Sequence, residues 1–527
     1  MRKKPASQKA PEPVVPEIFA VIHIGANAIT MLVGERQGGD GVRTVELLSQ
    51  PVPLAADVFR EWNISQESIE RAVEILRDCA EVMKEAGLTG APKRVVVANV
   101  LLEARNHDTL LNRIDVALGW QAKMLEDGEM TRLIYLGTRR LVYRHRRMAE
   151  KNTLVCHIGP GNTRALFFDE RDRLDYHSYR LGVERVRAQL EHVRGPLSIS
   201  ALMIGQHTRS VLDQLAQEFQ SAKVRQIVAL GHEIQAVAPL IGTARKDSVV
   251  VPVKRLQAMA REVETLGAAH LVNRHQLDFR TADLLLYTLA LHAGIAGEFG
   301  LKEIVVPATD YEETLLAGLV SPETAVEKFG PEVLQTAINL GRRFQIDLAH
   351  AQHVAFLASR LFDELRDLHG LGDHEALILQ VAALLHETGH LISARDHHRH
   401  SQYIIEHNEV FGLTEDDTLA AALIARYHRG EVPSTEHAEY RNLDRDQRLT
   451  VAKLVAMLRV ADALDRGRGQ RITLGRAVVD GPVLRLYVGR SKDLGAEEGS
   501  MREKAAFFTQ VFGLEVSLQA VEASPPA

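Results

Sequence analysis

Along this chain the hydrophobic residues come first as short runs that break at glycine turns, and only later at helical spacing. Val21-Ile22-His23-Ile24-Gly25-Ala26-Asn27 and Val155-Cys156-His157-Ile158-Gly159-Pro160-Gly161-Asn162-Thr163 share one order: an apolar run, then His, Ile, Gly and a small or polar turn. This is an internal repeat, and each copy predicts a buried strand breaking into a tight turn whose backbone N–H groups face an anion. Two such turns opposite one another predict a phosphate cleft between paired lobes. Between the copies, Ser65 followed by residues 67–86 predicts a capped helix, residues 94–100 a buried strand and residues 108–118 a further helix. The second copy continues as strand, turn and strand to Phe168, and residues 225–231 and 304–306 read as further buried strands. From about Ser321 the strand signals stop. A helical block runs to about Leu464, and a short β-rich tail covers 472–518, where Val483-Leu484-Arg485-Leu486-Tyr487-Val488 alternates.

A length of 527 residues predicts three or four domains, each with its own core. The hydrophobic and charged shares, 46% and 25%, are those of an ordinary soluble protein, and the net charge of −6 argues against a general nucleic-acid binder. Any basic site is therefore local. Cys79 and Cys156 are too few for a disulfide framework or a Cys-based zinc site, so a reducing cytoplasm is the expected home. Residues 1–17, rich in Lys and Pro, predict a disordered tail and not a signal peptide, and residues 521–527 a frayed end. His23, Gly25, Asn27 and Thr30 interrupt the apolar stretch 18–33, so no membrane span is expected.

The repeat carries a chemical surprise. A phosphate-hydrolysing cleft needs carboxylates to hold Mg²⁺ and orient water, and both copies place an imidazole where a carboxylate is expected. The densest chemistry lies instead in the helical block: His353, His386-Glu387 at the end of an apolar run, His397, His398 and His400, His428, and Asp462. Imidazole and carboxylate groups converging from several helices form the pattern of a divalent-metal site, and the alternative is a set of hydrogen-bonded core histidines. His386-Glu387-Thr388-Gly389-His390 matches the zinc-protease expression H-E-x-x-H, but Gly389 and the loop-like Leu391-Ile392-Ser393 argue against the continuous helix that chemistry requires.

With Leu384-Leu385-His386-Glu387-Thr388-Gly389, His397-His398-Arg399-His400-Ser401-Gln402-Tyr403, Ala425-Arg426-Tyr427-His428 and Leu458-Arg459-Val460-Ala461-Asp462-Ala463-Leu464-Asp465 added to the repeated turns, the chain resembles the exopolyphosphatase/guanosine pentaphosphate phosphatase (Ppx/GppA) family. The resemblance covers roughly residues 19–518. It implies an α/β plus α architecture. Two actin/hexokinase-like (ribonuclease H-like) lobes at 18–150 and 151–320 precede an HD-like helical domain at 321–470 and a small C-terminal α/β domain at 471–520. It also implies a homodimer and polyphosphate or guanosine tetra- and pentaphosphate as ligand; charge and hydropathy predict no nucleic-acid or membrane partner.

Residue by residue, the family's first phosphate loop, Asp-x-Gly-Ser-Asn, falls on His23-Ile24-Gly25-Ala26-Asn27. Its second, Asp-x-Gly-Gly-Gly-Ser-Thr-Glu, falls on His157-Ile158-Gly159-Pro160-Gly161-Asn162-Thr163-Arg164. The family's general base falls on Met130 and a substrate-contacting Arg on Leu102. The implied phosphate-binding set is thus His23, Gly25, Asn27, His157, Gly159, Gly161, Asn162, Thr163 and Arg164. These replacements remove about four negative charges and add one positive, which deprives Mg²⁺ and the attacking water of their ligands while leaving anion binding in place. Pro160 counts against binding because it removes one loop N–H. Glu129 is an alternative base from one position away, although adjacent residues point in different directions. The run Arg139-Arg140-Leu141-Val142-Tyr143-Arg144-His145-Arg146-Arg147 reads either as a guide for a phosphate chain or as a solvated helix face.

In the helical domain the resemblance implies a first site of His353, His386, Glu387 and Asp462, with His400 and His428 completing a second. Such a site takes Mn²⁺, Fe²⁺ or Mg²⁺, with Glu387 standing where an HD phosphohydrolase has Asp. Three readings stay open: a phosphohydrolase centred on the helical domain, a catalytically silent polyphosphate- or alarmone-binding regulator, and an exopolyphosphatase that uses Glu129 or another base.

Overall fold

The computed structural model describes residues 18–37, 41–144, 152–169, 174–194, 199–308, 311–319, 325–489 and 494–520. The tails at 1–17 and 521–527, and the boundary expected at 321, lie outside the described residues.

The first repeat copy is the first strand of a five-stranded sheet. β1 (Ile18–Ile24), β2 (Ala28–Gln37), β3 (Gly41–Pro51), β4 (Lys93–Ala98) and β5 (Ala122–Leu125) lie in the order β3-β2-β1-β4-β5. β1 to β3 form an antiparallel meander and β4 and β5 join in parallel. The second copy begins a seven-stranded sheet of β6 (Thr153–Ile158), β7 (Thr163–Phe168), β8 (Leu174–Tyr179), β9 (Gln226–Leu230), β10 (Thr243–Ala244), β11 (Ser248–Pro252) and β12 (Glu303–Pro307). Its order is β10-β11-β12-β9-β6-β7-β8, so β8-β7-β6-β9-β12 reproduces the first sheet in position and direction. The repeat is therefore a repeat of topology. β6 and β7 are buried along their whole length, which explains why their sequences read as continuous apolar runs without alternation.

Local chemistry places the helices. Ser65 caps the Gln66–Glu85 helix by accepting from the Ser68 N–H, as its sequence predicts. The 107–118 segment is helical, and the arginine run extends a helix that starts earlier, at Asp127–Arg144; the side chains of that run lie outside the described residues. After β12 the described residues are mainly helical through Arg445–Leu464, and the tail forms β13 (Thr473–Asp480), β14 (Val483–Gly489) and β15 (Glu515–Ala520) with two short helices before β15. Tyr135 ties the helical block to both lobes: its ring stacks on Phe168 with centroids 5.8 Å apart and meets Phe329 and Phe411 edge-on at 5.6 and 5.1 Å. Among the described residues no helix is long and apolar enough to cross a membrane.

Candidate functional site

The two glycine turns face each other across a cavity of about 430 Å³. In the first turn the Gly25 N–H donates to the Ala28 carbonyl (2.8 Å); in the second the Gly159 N–H donates to the Asn162 carbonyl (2.9 Å). Register makes the two copies equivalent: His23 pairs with Thr30 on β2, and His157 with Arg164 on β7. His23, Gly25, Asn27, His157, Gly159, Gly161, Asn162 and Arg164 all line the cavity. Thr163 does not; its hydroxyl donates to the Leu181 carbonyl at 2.6 Å. Asn27 and Asn162 occupy matching turn positions, and each buries a carboxamide oxygen that has no hydrogen-bond partner among the described residues. Orphaned polar atoms of this kind are what a bound polar ligand satisfies.

The lobes are closed on each other by charge. Arg280, from the Phe279–Glu298 helix, donates to the Asn27 carbonyl (3.1 Å) and to Glu184 (2.8 Å), so it bridges the first turn and the second lobe. Arg185 donates to the Gly161 carbonyl (2.8 Å), pairs with Glu103 of the first lobe and lies over the Phe59 ring. Gly161 is required by this closure, because a Cβ there would stand 2.8 Å from Phe59 and 2.9 Å from Val100.

The electrostatics differ from those of a metal-binding cleft. Burial, the Arg164 charge and His292 together push His157 down to about 3, so this imidazole is neutral. Arg164 is ion-paired with Asp127, which also accepts from Asn99. Glu129 is not part of the lining. It is held by Arg94 at 2.6 Å and by Arg132 at 3.5 Å, while its neighbour Met130 faces the cavity. Two carboxylates that sequence reasoning missed do line it. Glu233 is shifted upward, mainly by burial, and Asp278 caps its helix by accepting from the Thr281 N–H (2.9 Å). Imidazoles thus stand on both loops and Asp127 is paired with Arg164, while Glu233 and Asp278 are the carboxylates of the lining.

A second cluster lies in the helical block. His350, His386, Glu387, His428 and Asp462 converge, with candidate ligand atoms of His350/His386/Glu387 and of His386/His428/Asp462 mutually within 4.8 Å; Glu387/His390/His397 form a third such group. Nδ1 of His386 lies 2.7 Å from the Ala383 carbonyl and Nδ1 of His428 2.6 Å from that of Ala425. Those contacts fix the tautomer and direct both Nε2 lone pairs into the cluster, the usual arrangement of metal-ligating histidines. His386 Nε2 has no partner among the described residues, and burial shifts both imidazoles downward, towards the neutral form. The donor set fits a divalent metal of the Mn²⁺ or Fe²⁺ kind. Its acids, however, are already engaged: Asp462 by Lys504 and His350, and Glu387 by Arg468. Although burial opposes its charge, hydrogen bonds to Asp462 and Asp465 raise His350 to about 9.

His353 and His400 lie outside these groups. His350, one helical turn before His353, is in the cluster instead, and His353 stacks on Phe356. From the His397–Glu406 helix it is His397 that reaches inward, 3.4 Å from His428. His386 and His390 do not share one helix. The Asp373–Leu385 helix ends before a 3₁₀ turn at Thr388–Leu391, and within that turn Gly389 lets the His397 carbonyl approach where a Cβ would clash with it.

Comparison with known proteins gives a consistent picture. Residues 33–310, more than half of the chain, match the model of the Ppx/GppA phosphatase family, and residues 334–481 that of Ppx/GppA phosphatase, domain III. A guanosine-5'-triphosphate,3'-diphosphate pyrophosphatase of Aeromonas hydrophila is 24% identical over 405 residues, covering 75% of this chain and 78% of the relative. The protein of the same name from Pseudoalteromonas translucida is 25% identical over 434 residues, covering 79% and 81%. Among solved structures, an exopolyphosphatase from Cytophaga hutchinsonii superposes with a TM-score of 0.50 at 15% identity, over 57% of this chain and 97% of that one.

Proposed function

The chain belongs to the Ppx/GppA phosphatase family, and from that premise we propose that its two-lobed cleft binds the phosphate chain of polyphosphate or of a guanosine tetra- or pentaphosphate without efficiently cleaving it. The lobes of this reading are residues 18–150 and 151–320. The observation that carries it is the lining of the cavity: His23 and a neutral His157 stand on the two loops, and Met130 faces inward while Glu129 is tied to Arg94 and Arg132. Binding needs donors and positive charge, and Arg164 and Arg280, both in the lining, bring the charge while each also serves a protein carboxylate. Cleavage needs a positioned base for water and charge stabilisation on the leaving phosphate, and at the family's base position Met130 faces the cavity while Glu129 is held by Arg94 and Arg132. Calorimetric titration of the full chain with polyphosphate and with guanosine pentaphosphate, alongside orthophosphate release in magnesium buffer, tests this. Binding with negligible release is expected; rapid release that is lost on changing cleft residues but survives His386→Ala would refute it.

The convergence of His350, His386, His428 and Asp462 supports a second reading, in which the helical segment, residues 321–470, is an HD-like metal-dependent phosphohydrolase centre. His350, His386, His428 and Asp462 would hold the ion, with Glu387 and His397 beside them. A bound divalent ion would supply an activated water and a Lewis acid for a phosphoester. The protein's own contribution is to fix the tautomers of His386 and His428 through Ala383 and Ala425 and to bury the site. Metal analysis of the purified chain and of His386→Ala distinguishes this reading: bound metal lost in the variant supports it, and no retained or bindable metal in either removes it.

A further inference from the structure

Lys504 ends the Gly495–Lys504 helix of the C-terminal unit, 42 positions beyond Asp462, yet its ammonium forms an ion pair with Asp462 in the middle of the histidine cluster. Both side chains are only 11% exposed. Taking an ammonium out of water costs several kcal/mol, so such a lysine stays charged only opposite a carboxylate. Asp462 has no oxygen to spare: Oδ2 meets Lys504 and Oδ1 lies 3.5 Å from His350 Nε2. The same carboxylate belongs to the group in which His386 Nε2 is buried without a partner among the described residues. A cation therefore already stands beside the acid of a donor set that points two imidazole lone pairs at the same space.

We propose that Lys504 is a tethered competitor for the metal position, so that a divalent ion enters the His350/His386/His428/Asp462 cluster only by displacing the ammonium. This inference rests on the reading of the cluster as a metal centre. The C-terminal helix would then control metal loading: seated, its lysine neutralises Asp462; withdrawn, it opens an Asp and imidazole set of ordinary affinity. Arg468 on Glu387 is a weaker counterpart, since its side chain is 43% exposed.

The test uses the full chain, stripped with chelator and titrated with Mn²⁺ by calorimetry. Lys504→Met is expected to bind one ion per chain at least tenfold more tightly than wild type, Lys504→Arg to bind as weakly as wild type, and Lys504→Met with His386→Ala to bind none. Circular dichroism checks that each variant is folded. Should Lys504→Met not fold, reductive methylation of the wild-type chain read by mass spectrometry replaces it: Lys504 is expected to react slowly without Mn²⁺ and several-fold faster at saturating Mn²⁺. Equal Mn²⁺ affinity in wild type and Lys504→Met, or Lys504 reactivity indifferent to the ion, overturns the competition while leaving the metal centre standing. Failure of every form to bind Mn²⁺ overturns both.

Discussion

Acid should open the second lobe from within, because two neutral imidazoles are buried behind the phosphate turn. Burial lowers His292 to about 4, and burial with the charges of Arg164 and His292 lowers His157 to about 3. His292 sits on the helix behind β6, with Nδ1 on the Thr288 carbonyl at 2.7 Å. Each folded pKa lies below the unfolded value of about 6.5, so as pH falls through that value the unfolded chain takes up protons first. Stability is then present above about pH 6.5 and lost progressively towards the folded pKa. The slope is at most about 1.4 kcal/mol per pH unit for each such histidine and smaller near either pKa, so His292 alone accounts for about 2 kcal/mol between about pH 6.5 and about pH 4.5. Replacing it by Leu removes that proton uptake without touching the cavity lining. The measurement is native-state hydrogen exchange of the β6 amides in wild type and His292→Leu at both pH values. The variant should lose about 2 kcal/mol less than wild type over the interval. Parallel pH dependences in the two proteins would show that His292 does not carry the acid sensitivity.

Arg280→Met severs the link between the Asn27 carbonyl and Glu184 and leaves that buried carboxylate with only Arg187, 3.7 Å away; a loss of about 2 kcal/mol is expected in thermal or denaturant unfolding, with a larger radius of gyration by X-ray scattering. Gly389→Ala forces a methyl against the His397 carbonyl and should cost more than about 3 kcal/mol while disturbing the histidine cluster; an unchanged melting temperature would contradict the close approach. Restoring the family's acids by His23→Asp, His157→Asp and Met130→Glu together should raise magnesium-dependent orthophosphate release above that of the parent, provided Arg164→Glu is included to free Asp127; a folded quadruple variant no faster than the parent would refute the assignment of these positions.

How far the chain could be read in advance depended on the range of the interactions. The strand and turn repeat was legible because a buried strand and the glycine turn after it are local patterns, and the helix after Ser65 because a cap acts over one turn. His350 and His353 lie one turn apart, and the choice between them is set by which flank of the Leu348–Glu364 helix faces Asp462 and Asp465, a matter of packing against the Arg445–Leu464 helix. Nor does the run around Glu129 show that Arg94, from β4, captures its carboxylate, leaving Met130 to the cavity. The partners Asp127 of Arg164, Glu184 of Arg280 and Lys504 of Asp462 come from different elements, and no spacing rule announces them.

Those distant partners share a physical logic. In the cleft Arg164 neutralises Asp127; in the helical block Lys504 neutralises Asp462, and Arg468 neutralises Glu387. At each of these three carboxylates a side-chain cation of this chain stands close by, whereas Asp278 in the cleft lining accepts from the Thr281 N–H instead. A buried carboxylate must be balanced by something, and a lysine or arginine does so without a diffusible ion. The two sites differ in what surrounds that pair. Around Arg164 the other first-row positions are imidazoles on backbone turns, so removing the arginine alone restores no metal site. Around Lys504, His386 Nε2 is buried without a partner among the described residues and His428 Nε2 lies 3.4 Å from that of His397, so on the proposed reading removing the lysine frees an oxygen of Asp462 for an ion. On the proposed readings the cleft departs from the family's pattern at several independent positions, whereas at the helical cluster an ion has to displace the Lys504 ammonium and the proton of His350, whose pKa is raised to about 9.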